Sequence, residues 1–277
     1  MFGFQFLFNQ KFARQTGSEA RPALIFQIGC NICGLMLLLT VSIIRNGTPA
    51  IQNLSLFTLL MASLSACNSI AYTFCSLKAL GQINLSLYSV FSMLGGMLLP
   101  FLLGVIFFYE GLGLGKLLSV ALITAALAVT VKGGSERSGT GYYVGIFILN
   151  GMSGVISKIY QTLPYVKADE YGFMAVSAAI SAIISAAALI FVRGESKKPD
   201  KSSISAMFLC GTLSYAGNLL LMLALTHVPA SAQYPLVTGG VMAVSTLLCF
   251  FTDKKPSARE LFAVALSICG IFAMILF

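Results

Sequence analysis

Unbroken apolar runs separated by short polar connectors set the layout of this chain. The runs lie at about 22–44, 54–77, 84–109, 112–132, 142–163, 170–193, 203–226, 229–252 and 258–277. Each has the roughly 20 residues that an α-helix needs to cross the hydrocarbon core of a bilayer. Strands of a membrane barrel would alternate apolar and polar over about ten residues. These runs do not alternate, so they predict helices. The connectors RNGTPAIQN, LKALGQ, KGGSERSGTG, VKADE, RGESKKPDKSS and TDKKPSARE are too short to form a domain outside a membrane. At the amino end, MFGFQFLF offers eight residues before Asn9, Gln10 and Lys11. That is too short to span, and it lacks the charged start and cleavage site of a signal peptide. It reads as the second half of a helix whose start is missing, which makes ten helices with the first incomplete. A nine-span chain with a short amino arm is the other reading.

Composition names the solvent. Of 277 residues 57% are hydrophobic and only 9% charged, where a soluble domain carries about 25% charged residues. A globular core of this length would not hide so much apolar surface, so the surrounding medium is expected to be lipid. The chain is read as an all-α integral membrane protein, multi-pass, of the cytoplasmic (plasma) membrane. Its net charge of +8 is spread over the connectors without interleaved aromatics, which gives no sign of nucleic acid as a partner.

Enzyme chemistry finds no footing. P-loop, GxSxG and HExxH patterns are absent, and the nine acids stand at run ends or in connectors. All seven cysteines sit inside apolar runs. Cys30 and Cys33 form a CxxC, but no second pair and no nearby histidine completes a metal or redox site. They read as small packing residues, and His227 as a residue at a helix end. No metal, no cofactor and no enzymatic activity are expected.

An internal repeat shapes the rest. At an offset of about 145, Ala79-Leu80 meets Ala224-Leu225, Ser86 meets Ser231, and Gly95 meets Gly240. Glu110 falls close to Asp253, and Lys11 aligns with Lys158. The chain therefore divides into five-helix halves, 1–131 and 141–277. Five is odd, so the halves would cross the membrane in opposite senses. Inverted repeats of this kind characterise secondary transporters, with the site near the midplane between them.

The segments SLKALGQINLSLYSV…FFYEGLG and LALTHVPASAQYPL…FFTDKKPS carry one shared order of features. It runs Ala-Leu, short polar turn, Ser- or Ala-rich helix, apolar run, acid, short turn, final helix with small residues. In this the chain resembles the EamA-like transporters of the drug/metabolite transporter superfamily, over nearly its whole length. The resemblance implies ten helices as two EamA-like repeats, a central cavity and passage of small metabolites. Two departures stand out. Gly95-Gly96 and Gly239-Gly240 occupy the region where the family often has a proline midway along helices four and nine, and no such proline is expected here. The second acid, Asp253, is followed by Lys254 and Lys255.

Glu110 and Asp253 mark where apolar runs meet water. Each also lies near the start of the next helix, whose dipole favours negative charge. An interfacial cap used twice is one role for them, a gate the other.

Polar residues repeating along one helix face point to a solute cavity, since lipid would not tolerate them. Asn150, Ser153, Ser157 and Tyr160 form one stripe, and Tyr88, Ser92 and Gly96 another. Tyr234 and Thr238 pair similarly. Ser65, Asn68, Ser69 and Tyr72 share a face, as do Ser214, Tyr215 and Asn218, and Gln5 and Asn9. The cavity candidates are Gln5, Asn9, Asn68, Tyr72, Tyr88, Ser92, Asn150, Ser153, Ser157, Asn218, Tyr234 and Thr238. Ser, Thr, Gly and Asn also join membrane helices to one another, so the stripes have a packing role as their alternative. Lys11 and Lys158 would meet an anionic group, or else snorkel to the interface.

The expected function is secondary transport of a small organic metabolite by alternating exposure of a central cavity. No acid lies deep in a span, so an uncharged, zwitterionic or anionic solute suits the chain better than a cation. The competing readings are a non-transporting scaffold or assembly protein, and a channel, for which no ring of like charge is visible. Lys and Arg divide thirteen to four in favour of the odd-numbered connectors. By the positive-inside rule this places those connectors in the cytoplasm and both chain ends outside, opposite to the family's usual orientation.

Overall fold

The computed structural model describes residues 1–17, 19–47, 54–82, 85–131, 140–192, 200–249 and 258–276, which form ten α-helices with no strand among them. They are α1 (Phe2–Thr16), α2 (Ala20–Asn46), α3 (Leu56–Gln82), α4 (Leu85–Phe107), α5 (Leu114–Val131), α6 (Thr140–Thr162), α7 (Glu170–Phe191), α8 (Lys201–Ala224), α9 (Ala230–Cys249) and α10 (Ala258–Leu276). The expected runs match these bounds closely. One connector does not: LKALGQ is the last turn and more of α3, because Leu, Lys, Ala and Gln are all good helix formers. The amino-terminal helix likewise continues through Asn9, Gln10 and Lys11. Asp253 and residues 193–199 of the RGESKKPDKSS connector lie outside the described residues.

Two helices contain a proline. Pro100 stands inside α4 and Pro235 inside α9. Each removes the backbone N–H that would bond the carbonyl four residues earlier. The expectation of glycine in place of helix proline is therefore corrected: both features are present.

The helices gather into two compact units. The first comprises Met1–Gln82 and Ile159–Leu223, so it holds α1, α2, α3, α7, α8 and the end of α6. Its α2 packs on α7, and α3 on α7, α1 and α2. Four helical segments here are long and apolar enough to cross a membrane: Ala20–Arg45, Leu56–Ala79, Glu170–Phe191 and Lys201–Ala224. Gly211 lets α8 approach α2, since a Cβ there would lie 2.8 Å from the Cys30 Cα. Cys30 thus serves close helix packing. Acids cap two helices: Asp169 accepts from Gly172 N at 2.7 Å and Asp200 from Ser203 N at 2.8 Å. Lys167 closes the carboxyl end of α6, donating to the carbonyls of Tyr160, Gln161 and Leu163.

The second unit comprises Ile83–Lys158 and Ala224–Phe277. In it α10 packs on α5 and α9, and α4 on α9 and α5. The described apolar segments Phe91–Phe107, Leu114–Val129 and Leu261–Leu276 are shorter. Gly95 and Gly151 bring α4 and α6 together: a Cβ on Gly151 would sit 2.6 Å from the Gly95 carbonyl oxygen. Only glycine permits that approach.

Candidate functional site

The polar residues singled out from the sequence are held in quite different ways. In the first unit, Gln5 and Asn9 stand one turn apart on α1. Asn9 is 5% exposed and its amide nitrogen donates to Ser76 Oγ at 3.2 Å. Ser76 lies on α3, four and eight residues beyond half-buried Tyr72 and Asn68. The carbonyl-type oxygens Gln5 Oε1 and Asn9 Oδ1 are both buried and accept no hydrogen bond. Asn218 is exposed on α8 and donates to its own helix, at Ser214 O. Lys11 is exposed.

A second polar group in this unit was not among the candidates. Gln27 Nε2 donates to Ser69 Oγ at 2.8 Å and to Ser181 Oγ at 2.9 Å, while its Oε1 accepts from Thr73. Asn31 Nδ2 donates to Ser181 Oγ at 2.8 Å, and its Oδ1 accepts from Tyr215 Oη at 2.5 Å. These bonds join α2, α3, α7 and α8. Gln27 and Asn31 are four residues apart in an apolar run, the same signal that singled out Gln5 and Asn9.

In the second unit, Asn150 of α6 donates to the Ser92 carbonyl of α4 at 2.6 Å. Tyr88 and Ser92 are buried. Tyr234 of α9, also buried, donates to the Gly154 carbonyl at 3.3 Å, and Thr238 is buried one turn on. A Cβ at Gly154 would meet Pro100 and lie 2.9 Å from Tyr234 Oη. Ser153 and Ser157 donate within α6 itself, to Leu149 O and Ser153 O.

Lys158 is buried, not extended to a surface as a snorkelling lysine would be. Its Nζ lies 2.7 Å from Glu110 Oε1, and 5.6 Å from the Phe108 ring centre. Glu110 Oε1 also accepts from Ala230 N at 3.1 Å, and Oε2 from Ser231 N at 2.8 Å. Glu110 thus complements the amino terminus of α9, not that of α5 next to it in the chain. Burial by itself would raise the Glu110 carboxyl. The hydrogen bonds from Lys158 and Ser231, with the ammonium charge, outweigh that and hold it below the ordinary carboxylate value.

No family model matches the chain, and no curated protein matches it. A solved crystal structure matches over 99% of this chain and 95% of its own length, with a TM-score of 0.70 at 16% identity. At that identity the likeness is one of fold.

Proposed function

We propose that this chain is a multi-pass membrane protein that moves a small organic metabolite by secondary transport, an EamA-like member of the drug/metabolite transporter superfamily. One observation carries the reading. Polar amides are buried while large apolar side chains face outward: Asn9, Gln27 and Asn31 are 5, 4 and 2% exposed, whereas Ile44, Ile190 and Phe191 are 76, 80 and 83% exposed. That arrangement suits a polar interior in lipid. Helices five apart in the chain pack together, α2 on α7, α4 on α9 and α5 on α10. This supports a duplicated five-helix unit, with repeats at 1–131 and 141–277. The solute would be uncharged, zwitterionic or anionic, because the polar groups buried among the described residues are amides, hydroxyls and a lysine already neutralised by Glu110.

Reconstitution tests the proposal. Purified protein in liposomes should take up at least one member of a labelled metabolite panel saturably, above protein-free vesicles. A panel of amino acids, amides, organic acids and nucleosides with no uptake in either direction would favour the scaffold reading instead.

A further inference from the structure

We propose that one end of the first unit, where α1 stops and α2 starts, docks on the headgroups of anionic phospholipids through Lys11, Arg21, Lys78 and Lys201. The proposal rests on the membrane reading of the chain and not on transport. Side-chain contacts fix which helix ends meet there. Asn9 of α1 reaches Ser76, near the end of α3, and Phe12 meets Phe26 of α2 with ring centres 4.6 Å apart. Arg21, at the start of α2, donates to the Val192 carbonyl just past α7 at 3.3 Å. Ser203, in the first turn of α8, donates to Gln15 Oε1 in the last turn of α1 at 2.9 Å.

Charge distinguishes this end from the far end of the same unit. At the far end Arg45 donates to Tyr171 Oη at 3.0 Å, and Lys167 donates to three carbonyls. Asp169 and Glu170 follow Lys167 directly, so cations and acids balance there among the described residues. At the near end Lys11, Lys78 and Lys201 are exposed, and among the described residues none forms an ion pair with them. The acids here are Glu19 and Asp200. Asp200 is already engaged as the cap of α8, accepting from Ser203 N and Oγ at 2.8 and 2.6 Å. The Lys11 ammonium also acts on that carboxylate, which sets it beside the start of α8. Depth points to the partner. Arg21, Lys78 and Lys201 stand at the ends of segments long and apolar enough to cross a membrane, Ala20–Arg45, Leu56–Ala79 and Lys201–Ala224. Long basic side chains at such ends extend to headgroup level. A bilayer holds its phosphates at that level, and uncompensated Lys and Arg there attract the anionic lipids of the cytoplasmic leaflet. That is the side to which the charge division assigns these connectors.

The test uses the full chain, immobilised in a non-ionic detergent, and two labelled lipids, dioleoylphosphatidylglycerol and dioleoylphosphatidylcholine. They share acyl chains and differ in headgroup charge. Phosphatidylglycerol should be retained at least about tenfold more tightly, as several Lys and Arg near one surface allow. Sodium chloride at about 1 M, where screening sets in within about 3 Å, should remove most of that preference. The Lys11→Gln/Lys78→Gln/Lys201→Gln variant should lose it, while Arg45→Gln, at the far end, should keep it. Melting of the triple variant in phosphatidylcholine at the native temperature shows that it is folded. If it melts lower, Lys11→Gln and Lys201→Gln singly make the same comparison, each with a partial loss. Inorganic phosphate at the lipid's concentration should not displace it. Equal retention of the two lipids, an unchanged preference in the lysine variants, an equal loss in Arg45→Gln, or displacement by inorganic phosphate each overturns the proposal. Release of the chain from phosphatidylcholine vesicles by alkaline carbonate would overturn the membrane reading and the proposal with it. Absence of lipid preference in a chain that resists that wash overturns the proposal alone.

Discussion

Lys158 on α6 and Glu110, just past α4, form a buried ion pair of 2.7 Å, and the same carboxylate takes up the first backbone N–H groups of α9. Three elements of the second unit therefore meet at one side chain. Carboxylate, ammonium and helix terminus compensate one another's desolvation, which is the condition under which a buried charge is tolerated.

Removing one partner should show the cost. Glu110→Ala leaves Lys158 buried without a countercharge, and destabilisation of about 3–5 kcal/mol is expected. Adding Lys158→Met to that variant should recover part of the loss. Unfolding of the detergent-solubilised protein, read as a double-mutant cycle, measures it. Additive losses would show that the two side chains act independently.

Acid should weaken the same contact. The folded-state value of Glu110 lies below its unfolded one. Its stabilisation is therefore complete above the ordinary carboxylate value of about 4.3 and is lost as pH falls through the lower folded value. Melting temperature followed from pH 6 downward should fall less steeply for Glu110→Gln than for the native chain. Parallel curves would assign the acid sensitivity elsewhere.

Two glycines aligned in the sequence should respond oppositely. A Cβ at Gly95 would clash with the Phe147 carbonyl, whereas nothing lies within 4 Å of one at Gly240. Gly95→Ala should cost about 1–3 kcal/mol from overpacking. Gly240→Ala should be neutral or stabilise by up to about 1 kcal/mol through helix propensity. Paired thermal melts decide this.

The Gln27 cluster should be brittle. Gln27→Leu strips partners from Ser69, Thr73 and Ser181 at once. A loss of about 1–3 kcal/mol follows for each group left buried and unpaired. Gln27→Glu, which keeps the acceptor for Thr73, should lose less if it is protonated. Equal melting of Gln27→Leu and the native chain would mean that these bonds add nothing.

Orientation can be read at Lys201, exposed at the start of α8. With the native cysteines replaced, Lys201→Cys should be shielded from an impermeant thiol reagent in intact cells, as the thirteen-to-four charge division implies. Ready labelling would instead match the usual orientation of EamA-like proteins.

What the residue order determined by itself was the set of helices. Apolar length is a local property, and a run of some 20 apolar residues with no alternation has one economical way to satisfy its backbone. Hence α7 begins at Glu170 where the pattern placed it, and Asn9, Asn150 and Tyr234 were identifiable as polar groups where lipid would exclude them. The prolines inside α4 and α9 were also visible in the runs. A proline within an apolar run leaves open whether the helix breaks there or continues past it. Tertiary structure decided the partners. No spacing rule joins Glu110 to α9 across 120 residues, or Gln27 to Ser181 across 154. Nor does the aligned repeat tell Gly95, pressed against a backbone, from Gly240, which meets nothing. Helices of nearly uniform apolar character pack through a few small or polar contacts, and which of those contacts form depends on how distant helices are brought together.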